Sequence, residues 1–182
     1  FSMYKLVAFD AYGTLFDVYS VGQLAEELYP GQGQTLTLMW RDRQIDYTRL
    51  ITMSDPSPNG SKYYQPFWDL TVRSLHYVCQ RMGLELSPSN EKRLLDQYAK
   101  LTGFQDSLTV LKEIHEKGIA TAILSNGSRD MLNAVVASNG LTPYLNSVLT
   151  VEDIRIFKTA PQAYQLLLQA FPVNKEEILF IS

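Results

Sequence analysis

The chain has 182 residues, a formal net charge of −3, 46% hydrophobic and 19% charged residues, and a single cysteine. That length suits one domain with a modest insertion around a core of ordinary size, and the slightly acidic balance offers no basic stripe to a nucleic acid. No apolar run approaches the roughly 20 residues of a membrane span, and Cys79 has no partner for an internal disulfide, which fits a reducing cytoplasm.

Phe1 and Ser2 precede Met3, the expected native start, and the opening residues lack the charged and apolar regions of a signal peptide. Residues 6–10, Leu-Val-Ala-Phe-Asp, read as a short buried strand that runs into a carboxylate. Residues 18–102 then show helical patterns without a convincing buried strand. Leu36, Met39, Trp40, Tyr47, Leu50 and Ile51 keep helical spacing, as do Phe67, Leu70, Thr71, Leu75, Val78 and Met82. Between these two runs, residues 54–61 (SDPSPNGS) form a loop by composition. A helix follows from Ser107 through Ile114 and closes at Gly118, a natural residue just past a helix end. Residues 119–125 read as a second strand, and Met131, Leu132, Val135 and Val136 as a helix ending near Gly140. Residues 147–150 form a short strand, and Pro161 opens a helix carrying Ala163, Leu167, Leu168 and Ala170. Residues 178–182 are a final strand reaching its carboxyl end, so further C-terminal residues are expected. Alternating strands and helices imply a parallel α/β sheet. The segment 18–102 is then an all-helical insertion able to lie over the strand ends as a lid.

In an open parallel sheet, ligands bind beyond the carboxyl ends of the strands, so Asp10 sits where a nucleophile or a metal ligand belongs. Gly13 lets the following loop turn sharply, and Thr14 is placed to donate to the Asp10 carboxylate. Ser125 and Asn126 end the second strand in residues suited to orienting a carboxylate, although Asn-Gly-Ser is also ordinary turn chemistry. Lys158 is either a solvated lysine or one that reaches the cleft and holds Asp10 ionised. Arg41 shares the polar face of its helix with Thr37, Gln44 and Thr48; that face meets water, or the cleft if the helix belongs to a lid. Tyr12, Trp40 and Phe67 read locally as core. His76 and His115 lack partners at metal-ligand spacing, Ser125 has no nearby base, and neither a P-loop nor a Gly-rich dinucleotide motif is present.

Four segments carry a family resemblance: VAFDAYGTLFD at 7–17, LMWRDRQIDYT at 38–48, AILSNGS at 122–128 and IFKTAPQAY at 156–164. Together they resemble the haloacid dehalogenase superfamily, and specifically its L-2-haloacid dehalogenases, across essentially the whole chain. The resemblance implies an α/β, Rossmann-like parallel core formed by 1–17 and 103–182 with an inserted α-helical cap at 18–102. It further implies Asp10 as nucleophile, with Thr14 as its hydrogen-bonding neighbour and Lys158 as the residue that keeps it charged. Arg41 and Asn126 would receive the halide, Phe67 would add an apolar wall, Ser125 and loop amides near Tyr12 would hold the substrate carboxylate, and Tyr164 would support the site. Ser182 would begin the last motif, which normally continues with an asparagine and an aspartate. The implied ligand is a short 2-halo acid, with no cofactor and no metal, and similarity alone suggests a homodimer. Two positions depart from the family: Thr159 replaces a proline after the lysine, and Asp42 replaces a glutamine after the arginine, where an acid is placed to pair with Arg41.

Position 12 separates two chemistries. Phosphatases of this superfamily carry an acid two residues after the nucleophile, to protonate an alkoxide and help hold magnesium, and phosphoryl transfer depends on such electrostatic clamping. Here the residue is Tyr12. A halide leaves without protonation and needs anion-stabilising donors instead. The expected reaction is hydrolysis of an (S)-2-haloacid to an (R)-2-hydroxy acid through an aspartyl ester. A small-molecule phosphatase and a catalytically silent binding protein of the same fold are the alternatives.

Overall fold

The computed structural model describes residues 3–57 and 59–182, so Phe1, Ser2 and Pro58 lie outside the described residues. Four short parallel strands form the sheet: β1 (Leu6–Phe9), β2 (Ala120–Ser125), β3 (Ser147–Thr150) and β4 (Ile178–Ile181), in the order β3-β2-β1-β4. β1 is buried along its whole length, as a central strand covered on both faces should be.

The period-two alternation of β1 divides the core. Val7 and Phe9 join the larger apolar cluster with Leu108, Leu111 and Ile114 of α5 (Gln105–Glu116) and with Met131, Leu132 and Val135 of α6 (Arg129–Ser138). Leu6 and Ala8 face the other side, with Ala122 and Leu124 of β2 and Leu167 of α7 (Pro161–Ala170). Helices on both faces of a parallel sheet give the expected α/β architecture.

Among the described residues four α-helices lie between β1 and α5: α1 (Gly22–Leu28), α2 (Gly33–Ser54), α3 (Phe67–Met82) and α4 (Pro88–Tyr98). The chain leaves for them and returns side by side. Phe16 bridges Gly103 in antiparallel fashion, the Asp17 amide donates to the Thr102 carbonyl at 2.8 Å, and the Phe104 amide donates to the Leu15 carbonyl at 2.8 Å. The periodicities read from sequence locate α2 and α3, and leave α1 and α4 unread. Ser87 and Pro88 nevertheless announce α4, since the Ser87 side chain accepts from the Asn90 amide and Pro88 occupies the first turn. α3 ends where Gly83 takes a left-handed conformation, with the Leu84 amide donating to the Cys79 carbonyl.

The long helix α2 departs from the sequence reading. Leu36 and Trp40 are buried as expected, but Leu50, assigned to the apolar stripe, is 58% exposed. The polar face goes inward instead: Thr37, Gln44 and Thr48 are all buried. Among the described residues no helix is long and apolar enough to cross a membrane.

Candidate active site

The register of the sheet fixes the floor of the site. Phe9 pairs with Ile123 on one side and Ile181 on the other, and the Asp10 amide donates to the Ile181 carbonyl at 2.9 Å, so Asp10 stands at the carboxyl edge of the central strand. Two residues further along β2 come Ser125 and Asn126, beside it. The Ala11 amide donates to Asp10 Oδ1 at 2.8 Å, and Lys158 Nζ donates to the same oxygen at 2.8 Å. Among the described residues Asp10 Oδ2 accepts no hydrogen bond, and Asp10 lines a cavity.

Lys158 is not a solvated lysine. Its side chain is 9% exposed and its ammonium also donates to the Leu124 carbonyl at 3.0 Å. The Lys158 amide donates to Asn126 Oδ1 at 2.8 Å, which turns the Asn126 NH2 toward free space. Ser125 Oγ accepts from the Gly127 amide at 3.0 Å, leaving the hydroxyl proton available. Gly127 must be small: a Cβ there would lie 2.8 Å from Tyr12 Cε2.

These groups line a cavity of about 70 Å³ together with Tyr12, Arg41, Ile45, Thr48 and Phe67. Arg41, Ile45 and Thr48 follow one another at i, i+4 and i+7 on α2, so one helical face supplies all three. That spacing is the signal that could have found Ile45; the sequence already puts Thr48 on the same face as Arg41. Arg41 Nη2 donates to the Tyr12 carbonyl at 3.3 Å, across the boundary between helix and strand-end loop. Gly13 takes a left-handed conformation (φ 90°) that other residues rarely adopt, while a Cβ there would make only ordinary contact with Arg41 Nη2 at 3.7 Å, so it is the turn and not the approach of Arg41 that calls for glycine. Asp42, one residue on, is exposed and forms no ion pair with Arg41 among the described residues. Successive helical side chains diverge by about 100°.

Tyr12 and Phe67 are both core and wall. Their ring centroids are 6.0 Å apart, and Tyr12 also stacks on Tyr98 at 6.1 Å. Burial, reinforced by Tyr98, pushes the Tyr12 phenol well above its usual range, with Arg41 offsetting part of the shift. Position 12 thus presents a neutral ring.

Three expected site residues are not brought to the cavity. The Thr14 amide donates to the Ala11 carbonyl in a tight turn, and its hydroxyl makes no hydrogen bond to Asp10, whose Oδ1 is already held by Ala11 and Lys158. Tyr164 lies on the outer side of α7, because Ala163 and Leu167 take the buried face; its ring stands edge-on to Phe180 at 5.7 Å and is 37% exposed. Ser182 is exposed, one residue past β4. Among the described residues no group of three or more His, Cys, Asp or Glu side chains is arranged to hold a metal ion.

The comparisons with known proteins agree with one another. A family model described as haloacid dehalogenase-like hydrolase matches residues 4–182. The chain is 39% identical over 180 residues to an (S)-2-haloacid dehalogenase of Xanthobacter autotrophicus, covering 99% of this chain and 68% of that protein. It is 35% identical to an (S)-2-haloacid dehalogenase of Pseudomonas sp. strain YL, over 98% of this chain and 74% of that one. Among solved structures, an L-2-haloacid dehalogenase at 47% identity superposes with a TM-score of 0.91, covering 97% of this chain and 77% of that chain. The Xanthobacter autotrophicus L-2-haloacid dehalogenase with chloropropionic acid covalently bound superposes with a TM-score of 0.86 at 38% identity, covering 97% and 69%.

Proposed function

The chain belongs to the haloacid dehalogenase-like hydrolases, in the L-2-haloacid dehalogenase family, and from this we propose how its own residues carry the reaction. The activity is hydrolytic dehalogenation of (S)-2-haloacids to (R)-2-hydroxy acids. The observation that supports the residue assignment is the Asp10–Lys158 ion pair: it occupies one carboxylate oxygen and leaves the other open, at the floor of a small cavity capped by Arg41.

In this reading the substrate carboxylate lies against the Ser125 hydroxyl, with C2 above Asp10 Oδ2. An Oδ2 lone pair forms the new C–O bond as the carbon–halogen bond breaks, inverting C2 and releasing halide into the donors of Arg41 and Asn126. Phe67 and Tyr12 supply apolar walls that keep bulk water from the nucleophile. Water then adds to the Asp10 carbonyl carbon, the acyl C–O bond breaks, and the 2-hydroxy acid departs with its original C2 oxygen from Asp10. The balance is one haloacid and one water giving one hydroxy acid, one halide and one proton.

Residues 18–102 act as the cap in this scheme, because Arg41, Ile45, Thr48 and Phe67 all come from them. The reading extends to a cytoplasmic homodimer. Cys79 is a buried free thiol pushed up to about 11 by burial, suited to a reducing compartment. The exposed Leu38, Leu50 and Met53 of α2 offer an apolar surface to a second copy; sedimentation as a monomer at every concentration would refute the pairing.

A single turnover in oxygen-18 water tests the mechanism. The label is expected in the Asp10 carboxylate and not in the first 2-hydroxy acid released. Direct appearance of label in that product would overturn the aspartyl ester. Halide release is expected to continue in the presence of a chelator, and strict magnesium dependence would return the site to phosphoryl chemistry.

A further inference from the structure

We propose that Ser128 is a positioning residue for Phe67: its hydroxyl supplies, from the loop beyond β2, the N-cap that α3 lacks, and so seats the apolar wall of the cavity. The proposal rests on the reading of Phe67 as that wall.

A helix begins with amide donors that have no partner within it. A Ser, Thr, Asp or Asn side chain just ahead of the helix normally accepts from the second or third of them. α3 begins at Phe67, and the residue ahead of it is Pro66, whose side chain has no acceptor. The second amide, that of Trp68, donates instead to Ser128 Oγ at 3.0 Å, 60 residues along the chain. Ser128 stands just ahead of α6, where a serine would ordinarily cap its own helix, yet its side chain makes no such bond. The first amide of α6, that of Arg129, is taken by Glu152 Oε2 at 2.7 Å. The Ser128 hydroxyl is thus spent on the other helix, in a position largely screened from water.

This bond closes one end of a longer docking, in which residues 61–68 run along the core. The Ser61 amide donates to the Arg155 carbonyl at 2.9 Å, and Tyr64 packs on Phe157 with ring centroids 5.0 Å apart. Phe67 stands edge-on to Phe157 at 6.5 Å and lies 6.0 Å from Tyr12, one peptide bond from the tether at Trp68. Phe67 lines the cavity of about 70 Å³, while Pro66, Trp68, Asp69 and Ser128 line a second cleft of about 480 Å³. With unfilled space beside both Phe67 and Trp68, close packing alone does not fix the start of α3. A directional hydrogen bond supplies what packing does not.

The two ends of the docked segment differ in what holds them. The acceptor for Ser61 is a backbone carbonyl that no substitution removes, whereas the acceptor for Trp68 is a single side-chain oxygen. Ser128→Ala deletes that oxygen and leaves the Trp68 amide without its acceptor. Phe67 would then be free to lift from the cavity, admitting water to Asp10 and slowing its attack on C2. Ser125, Asn126 and Arg41 take no part in the bond, so affinity for the substrate carboxylate would stay.

The test is the single-turnover rate constant for chloride release from (S)-2-chloropropionate by the wild-type chain, Ser128→Ala, Phe67→Ala and the double variant. With enzyme in saturating excess this constant is intensive, so a variant that merely folds less well does not change it. Ser128→Ala is expected to lower it about tenfold, within the roughly hundredfold that a misplacement of about 1 Å can cost, while the dissociation constant of (R)-2-hydroxypropionate stays unchanged. In the Phe67→Ala background the same change is expected to add little, because residues acting through one contact are not additive. Pro66→Ser gives α3 an N-cap of its own. In that background the melting-temperature cost of Ser128→Ala, about 2–4 °C in the wild-type chain, should shrink while the rate cost persists. An unchanged rate constant in Ser128→Ala, a loss of (R)-2-hydroxypropionate affinity, full additivity with Phe67→Ala, or recovery of the rate by Pro66→Ser overturns the positioning role while leaving Phe67 as the wall. An unchanged rate constant in Phe67→Ala removes that wall, and the Ser128 proposal with it.

Discussion

The floor and the roof of this site are built by opposite rules. On the floor, β1 and β2 obey the ordinary polarity of a buried strand, and chemistry begins where the apolar run stops, at Asp10 and at Ser125 and Asn126. In the roof, α2 turns Thr37, Gln44 and Thr48 inward and leaves Leu38, Leu50 and Met53 in the open. A strand end delivers a functional group by position alone, since the backbone register has already placed it. Of the three inward polar residues of α2 only Thr48 lines the cavity; Thr37 and Thr48 return their hydroxyls to backbone carbonyls of α2 and Gln44 bonds Thr71 and Tyr98, so each buried polar side chain of the helix is satisfied by a partner. The hydrophobic pattern therefore reports the floor faithfully and misreports the roof.

The sharpest way to strain the floor is to remove the partner of its carboxylate. Lys158→Met is expected to lower halide release by on the order of a hundredfold, as loss of one preorganised donor does. The Lys158 amide that orients Asn126 is unaffected, because it belongs to the backbone. Steady-state rates with the variant decide the point, and a loss of only two- or threefold would mean that the Ala11 amide alone holds Asp10 in place.

How much was readable follows from the same contrast. The strands, the helix ends at Gly118 and Gly140 and the opening of α7 at Pro161 were legible because local turn chemistry marks them. Asp10, Ser125, Asn126 and Lys158 meet in one cavity, and Arg41 and Phe67 reach it from the helices. Ile45 was overlooked because an isoleucine carries no chemical signal of its own, and only its phase relative to Arg41 reveals it; the sequence places Thr48 on the polar face beside Arg41, and it does line the cavity. Thr14, read as a donor to Asp10, and Tyr164, taken from the family resemblance, do not line the cavity. Neither signal fixes a side-chain direction: the Thr14 amide closes a turn onto the Ala11 carbonyl, and the Tyr164 ring meets Phe180. Asp42 is the converse case, an acid adjacent in sequence to Arg41 and directed into solvent.

The roof is strained next by giving it the polarity that the sequence pattern predicts. Gln44→Leu should destabilise the fold by about 1–3 kcal/mol, the cost of leaving a buried hydroxyl without its partner, because Tyr98 loses its acceptor. Urea unfolding measures it, and a stabilised variant would show that the Tyr98–Gln44 hydrogen bond is dispensable. A smaller effect comes from pH. Tyr12 and Tyr98 both have phenols raised by burial, so above the ordinary tyrosine pKa of about 10 the unfolded chain loses protons that the folded chain keeps. Stability is then fully present below about pH 10 and declines as pH rises above it. Tyr98→Phe should flatten that decline, and an identical alkaline limb in the variant would remove Tyr98 as its cause.

The smallest effect is the most pointed. Leu50 lies on the stripe that helical spacing marks as core, so a reader of the pattern expects Leu50→Gln to cost as much as a buried leucine truncation, about 2–5 kcal/mol. At 58% exposure it has little to lose, and the expected change is within about 0.5 kcal/mol. Leu36 occupies the same stripe four turns earlier and is fully buried, so Leu36→Ala provides the contrast within one helix, in one buffer, by one denaturation curve. Comparable losses for the two would return α2 to an ordinary amphipathic helix. A large loss at Leu36 beside none at Leu50 would mean that the apolar spacing fails over the second half of α2, where Gln44 and Thr48 and not Leu50 are the buried residues.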